Sequence, residues 1–176
     1  EKTEVAEAGP QFLVQFDEQL TSDAQDGRLL LMLARGDSEE PRSRIGNSAD
    51  TQLIFGMNVS DWKAGTTVLV DSTAIGFPLA DLSEVPPGKY FVQALLNRYK
   101  DFNLSNGKTV SLPPDHGEGQ QWQRKPGNFY STPVEIEILA GNSDPIAVVM
   151  DQVIPPIDAP ADTKYVKHIR MRSELL

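Results

Sequence analysis

Apolar residues fall at every second position in several short runs of this chain, which is the period of a strand with one face buried. In QFLVQFDEQL, Phe12, Val14 and Phe16 share one face, opposite Gln11, Gln15 and Asp17. TSDAQDG then supplies turn chemistry, with Asp26-Gly27 as the turn dipeptide. GRLLLMLARG is a continuous apolar run bounded by glycines, too short for a typical helix, and reads as a strand buried on both faces. A polar loop, DSEEPRSRIGNSAD, separates it from TQLIFGMNV, a further strand with Gly56 placed as a bulge. SDWKAG is a turn and TTVLVD a short strand. In the irregular connection IGFPLADLSEVPPGK, Leu79 and Leu82 are expected to reach back to the core.

The stretch EVPPGKYFVQALLNRY joins a Pro-Pro-Gly turn to a strand whose two faces are both apolar at first and turn polar towards Arg98. That places a central strand emerging at one end of a sandwich. Tyr90 at its start suits a corner tyrosine bonded to nearby backbone, the alternative being a ligand contact. Residues 101–128 show no strand pattern and are rich in Gly, Pro, Asn and Asp, so they read as one long irregular loop. Its four large apolar residues, Phe102, Leu104, Leu112 and Trp122, are expected to pack on the sandwich, because each would forgo about 1.5–3 kcal/mol if left exposed. They would hold a polar tip, Asp115 to Gln121, towards a partner. FYSTPVEIEILA restores alternation, with Val134, Ile136 and Ile138 inward and Glu135 and Glu137 outward. DPIAVVMDQVI is another strand, PPIDAPAD a linker, and TKYVKHIRMRSELL a closing strand of broken period.

Seven to eight short strands without a long helix predict an all-β fold, an immunoglobulin-like β-sandwich. One domain would span 11–176, with 101–128 as its long loop and 1–10 as a flexible tail. Thirteen Pro and thirteen Gly agree with many turns. A net charge of −9 argues against a nucleic-acid or anionic-membrane partner, which would be repelled. With no Cys, disulfide staples, cysteine nucleophiles and thiolate metal sites are all excluded. No apolar run approaches the roughly 18 residues of a membrane span. The polar start EKTEVAEAGP reads as the residues left after signal removal or as a chain boundary, and the apolar stop at HIRMRSELL as a cut within a longer polypeptide.

Chemistry is sparse. A nucleophile elbow needs glycine on both sides of a serine, and Gly46-Asn47-Ser48 and Gly141-Asn142-Ser143 each lack the second glycine. Asp115, His116 and Glu118 crowd one stretch and are weak metal candidates, lacking a second set of ligands. His168 reads as structural or solvent-facing. Glu135 and Glu137 would share a strand face roughly 7 Å apart, within the inverting glycosidase range, yet their alternation with Val134, Ile136 and Ile138 makes them an ordinary solvent face. Trp122 and Tyr130, next to Phe129, form a candidate stacking platform for sugar rings, with Arg124 and Asn128 as hydrogen-bonding neighbours. The competing reading has Trp122 anchoring the loop. Trp62 is expected to pack against the neighbouring sheet. Neither phosphate loop nor dinucleotide fingerprint appears, so no cofactor is expected.

EPRSRIG, TQLIFGMNVSDWKAGTTVLVD, AIGFPLADLSEVPPGKYFVQALLNRY and KYVKHIRMRSELL together resemble the amino-terminal region of bacterial exported esterase-like proteins. The downstream part of those proteins has an α/β-hydrolase fold, and a segment like KYVKHIRMRSELL leads into it. The resemblance covers most of 28–100 and the closing segment. It implies export to the periplasm or beyond, and a partner in the downstream hydrolase domain of the same polypeptide. It carries no catalytic residue to this chain. The implied role is a non-catalytic accessory sandwich serving packing, substrate approach or attachment. A carbohydrate- or peptide-binding module using the loop aromatics is the alternative, with a free-standing enzyme behind both.

Overall fold

Strands β2 (Gln25–Ala34) and β6 (Gly88–Arg98) lie antiparallel at the centre of the structure, paired from Gly27 opposite Arg98 to Ala34 opposite Phe91. The computed structural model describes residues 9–36, 40–115, 119–141, 144–158, 160–169 and 171–173. Beyond β2 the sheet continues through β3 (Leu53–Trp62) to the edge strand β5 (Ile75–Phe77). The other side of β6 is shared. Its first half pairs with β10 (Val134–Ile138), its second half with β9 (Phe129–Tyr130), and β12 (Gln152–Val153) lies outside β9. A smaller sheet places β1 (Phe12–Phe16) between β4 (Val68–Val70), antiparallel, and β11 (Ile146–Met150), parallel.

The chain is therefore all-β, with several sheets and only three short 3-10 turns among the described residues. One core joins the small sheet to the large one. Phe12, Val14, Phe16, Val148 and Met150 meet Leu29, Leu31, Leu33, Phe55, Val92 and Leu96 in it. Phe16 is the hinge of that contact, edge-on to Trp62 at 5.1 Å between centroids and 5.6 Å from Phe129. Trp62 thus packs across the sheets as expected, and its indole N–H donates to the Thr66 carbonyl at 3.0 Å. Leu82 is fully buried and Leu79 packs against the same core. GRLLLMLARG is buried on both faces, because Leu30 and Met32 form a second, outer cluster with Leu95 and Ile154.

Tyr90 is the corner residue. Its hydroxyl donates to the Pro86 carbonyl, four residues back, at 2.8 Å and accepts from Arg35 at 3.0 Å.

Several expectations are corrected. Residues 101–128 are not structureless. They contain an antiparallel ribbon of β7 (Lys100–Asn103) and β8 (Thr109–Leu112), closed by a turn in which the Asn106 side chain accepts from the Lys108 N–H at 3.0 Å and Gly107 takes a positive φ of 80°. The Asn-Gly pair was the hairpin signal, hidden because the flanking alternation is mostly polar. Nor do Phe102, Leu104 and Leu112 pack on the sandwich. They are 39%, 42% and 51% exposed, since a two-stranded ribbon standing off the end of a sheet has no layer to cover it. Trp122 alone of the four packs inward.

Asp26-Gly27 is not a turn but lies in β2, at an irregular register between Gln25 and Gly27. A Cβ on Gly27 would sit 2.4 Å from the Asn97 carbonyl oxygen, so the close approach of β6 requires glycine. Gly56 pairs in regular register with Leu30, without a bulge. The described residues after Asp162, 163–169 and 171–173, form no strand of the sandwich and are exposed at Tyr165, Val166, Ile169 and Met171. Val134 is 49% exposed, so only Ile136 and Ile138 of the expected inward set in β10 reach the core.

Tyr90→Phe should lower unfolding stability by about 1–2 kcal/mol in guanidinium titration with an unchanged m-value, as a satisfied hydroxyl is lost while the ring stays packed. A second expectation concerns acid. Hydrogen bonds from Thr73 and from Ser83 hold the carboxyls of Asp71 and Asp81 below their ordinary value of 3.8. A depressed folded-state value contributes stability that is present above the unfolded value and lost as pH falls through the folded one. The denaturation midpoint should therefore drop below pH 3.8, and less so in the Asp71→Asn/Asp81→Asn variant.

Candidate functional site

The outer face of β2 and β6 is apolar and needs a cover, and the chain builds it from polar-looking segments. Residues 40–45 and the 3-10 turn Trp122–Arg124 lie over Leu30, Met32 and Leu95, with Ile45, Trp122 and Tyr130 packed against that cluster. Arg42 ties the parts together. Its guanidinium lies 4.2 Å from the centre of the Tyr130 ring, donates to the Gln123 carbonyl at 2.8 Å, and pairs with Glu40. Its backbone N–H donates to the side-chain oxygen of Gln93 at 3.0 Å. Gln93 is fully buried on a strand, and its amide also donates to the Ser131 carbonyl at 2.8 Å.

Trp122, Tyr130 and Asn128 are thus brought to one end of the molecule, in stated roles. Trp122 is half-buried and Tyr130 has Arg42 over its ring. Asn128 is fully buried. Its oxygen accepts from the Arg98 N–H at 3.0 Å and its amide donates to the Trp122 carbonyl at 2.9 Å. Arg124 is exposed, 3.4 Å from the Gln121 side-chain oxygen. Asp115 lines a neighbouring cleft, while His116 and Glu118 lie outside the described residues, as do Asn142 and Ser143 of the second near-elbow. Among the described residues no group of three His, Asp or Glu could hold a metal ion. His168 is exposed, with its backbone N–H on Asp162 at 3.0 Å. Glu135 and Glu137 are exposed, Glu135 lying 3.7 Å from Lys89.

The cleft has a volume of about 570 Å³ and is lined by Arg98, Tyr99, Lys100, Phe102, Lys125 and Asn128, among others. That volume lies in the range of small-ligand sites. It opens between the ribbon and the segment 125–128. The register of the ribbon sets its character: Lys100 opposes Leu112 and Phe102 opposes Val110, so these four share one face. Asp101 and Ser111 share the other and line a second cleft of about 410 Å³ with Asp26 and Asn58. The ribbon thus parts a cationic, apolar side from an acidic, polar one.

Arg98 fixes the floor of the larger cleft. Its guanidinium lies 4.5 Å from the centre of the Phe129 ring and donates to Gln25 and to the Gly127 carbonyl. Burial pushes its pKa down, an effect that Asp23 opposes. Lys125 is 2% exposed, with its ammonium on the Arg98 carbonyl at 2.6 Å. At the far end of β6 a smaller hollow, about 290 Å³, is lined by Arg35, Asp50, Gln52 and Tyr90. Sequence reasoning missed Arg42, Arg98 and Lys125. Gln93, a lone amide inside an apolar run, was the one legible signal that the outer face has a polar cover.

Arg42→Ala should cost about 1–3 kcal/mol and speed amide exchange across 122–130, because a cation over a ring and a charged hydrogen bond are lost together. Arg42→Lys should not restore protection, as a single ammonium cannot serve ring, carbonyl and carboxylate at once. Retention of wild-type exchange in Arg42→Ala would show that packing alone holds the cover. Compared with protein-family models, curated proteins and solved structures, the chain matches none, so the reading of this end stands on its own geometry.

Proposed function

We propose that this chain is an immunoglobulin-like sandwich acting as a non-catalytic accessory domain ahead of an esterase-like hydrolase domain in a bacterial exported protein. The observation that carries the reading is the ribbon. Phe102, Leu104 and Leu112 stand exposed on a projecting hairpin beside a cationic cleft, at the end where the central strand turns polar. An apolar face of this kind loses stability in water and gains it when a second body covers it. In this reading the downstream domain is that body, and the cleft lies along the approach to it. Two sheets sharing one core and a tyrosine corner support the immunoglobulin-like assignment. Among the described residues no helix is long and apolar enough to cross a membrane.

A second reading, a carbohydrate- or peptide-binding module, is favoured by the size of the cleft and by the rings of Tyr99 and Phe102 beside Lys100 and Lys125.

The two separate experimentally. In the longer polypeptide, amides of 100–112 should exchange more slowly than in the isolated chain, and Phe102→Ser/Leu112→Ser should remove the difference. Equal exchange in both contexts would end the accessory-domain reading. For the module, soluble oligosaccharides or peptides added to the isolated chain should shift the amide resonances of 98–102 and 125–128, and Phe102→Ala should abolish the shifts.

A further inference from the structure

Two features suit a strand exchange, one an acceptor and one a donor. The acceptor is β10. It pairs with β6 on one side, and no strand pairs with its other side among the described residues. An open edge presents alternate backbone N–H and C=O groups to any extended chain that can reach it. Among the described residues six other strands have an open side: β4, β5, β11 and β12, with sequences VLV, IGF, IAVVM and QV, and the two ribbon strands β7 and β8, with sequences KDFN and TVSL. Of these only β7 is charged, with one residue of each sign, Lys100 and Asp101. β10, VEIEI, carries Glu135 and Glu137, both exposed, and alternates them with Val134, Ile136 and Ile138. Lys89, opposite Glu137 in register, reaches diagonally to Glu135 in a loose exposed pair at 3.7 Å.

The donor is the segment 163–172. Its described residues form no strand, and the contacts among them are local: the Thr163 N–H donates to the Val166 carbonyl, and Lys167 pairs with Asp162 at 3.2 Å. Yet 168–172 alternates as a strand does, although Val166 and Lys167 break the period before it. Tyr165, Ile169 and Met171 occupy odd positions and are 85%, 79% and 89% exposed, while Lys164, His168, Arg170 and Arg172 occupy even ones. Lys167 is the one charge on the apolar side. Four of the chain's sixteen Lys and Arg residues fall in these ten positions, with no Asp or Glu among them, in a protein of net charge −9.

We propose that the open edge of β10 receives segment 163–172 from a second copy of this chain, by strand addition, so that two copies exchange arms. Alternation matches on both faces: Ile169 and Met171 extend the side of Ile136 and Ile138, and the basic even positions meet Glu135 and Glu137. The path of the chain favours a second copy over the copy's own arm. β12 runs antiparallel to β9, which runs antiparallel to β6, so the chain leaves at Ile154 in the direction of β6, away from the part of β6 that pairs with β10. Three of the next eight positions are proline, Pro155, Pro156 and Pro160, a composition that favours an extended chain of about 25 Å over one that folds back. Exchange of an element across such an arm is a low-cost route to a symmetric dimer. The inference is independent of the accessory-domain reading.

Charge reversal tests it, read by sedimentation of chain 1–176 at about 100 µM, where even a contact of modest affinity is populated. The wild-type chain should sediment as a dimer. Glu135→Lys/Glu137→Lys and, separately, Lys164→Glu/Arg172→Glu should each be monomeric, with the circular dichroism of the wild type, since all four side chains are exposed. Mixing the two variants should restore a heterodimer, because each basic segment then finds an acidic edge and each acidic segment a basic one. A monomeric wild type, a dimer that survives either variant, or a mixture that stays monomeric would each overturn the proposal.

Discussion

Everything in this molecule depends on a pair of strands, β2 and β6, that are buried on both faces. Their inner residues, Leu29, Leu31, Leu33, Val92 and Leu96, are covered by the small sheet through Phe12, Phe16 and Met150. Their outer residues, Leu30, Met32 and Leu95, have no third sheet to cover them. A chain of this composition could not leave that face open without losing several buried side chains' worth of hydrophobic stabilisation. It is closed instead by segments of irregular backbone, held by a few polar contacts.

Gln93 is the centre of that closure. A fully buried amide must be satisfied on both its donor and its acceptor side, and here the partners come from two segments far apart in sequence, the Arg42 backbone and the Ser131 carbonyl. One side chain therefore fixes where residues 40–45 and 129–131 lie. Arg42 then extends the hold to Gln123 and to the Tyr130 ring, and Asn128 carries it on to Arg98 and Trp122. The residues that shape the candidate site are the ones that close the core. Change at that end is thus coupled to stability, whereas Phe102, Leu104 and Leu112 of the ribbon and the described residues after Ile154 are exposed.

Charge is distributed in the same spirit. The ribbon divides one cleft with Lys100, Lys125 and Arg98 from another with Asp26 and Asp101. The excess of acid elsewhere makes the basic stretch after Asp162 distinctive on an acidic protein. Electrostatics of exposed groups contributes little to stability and more to the choice and orientation of partners.

The period-two alternation of β1, β10 and the run of β2 determined strand identity from sequence alone, because hydrophobic burial on a pleated surface leaves a local trace. The corner role of Tyr90 and the inward packing of Trp62 and Leu82 were legible for the same reason: each follows from neighbours close in the chain. The ribbon was half legible, through Asn106-Gly107, but its polar strands leave no burial signal. The expected packing of Phe102, Leu104 and Leu112 failed because area arguments assume a layer to pack against, and whether a layer is present is a property of the whole fold. Arg42, Gln93 and the pair Lys125 and Asn128 lie in three separate stretches, and nothing local marks them as partners. Sequence determined which strands carry a face that must be buried. Tertiary structure alone decided how polar groups distant along the chain meet to make that burial possible, because a hydrogen bond between distant residues exists only once the fold has brought its two ends together.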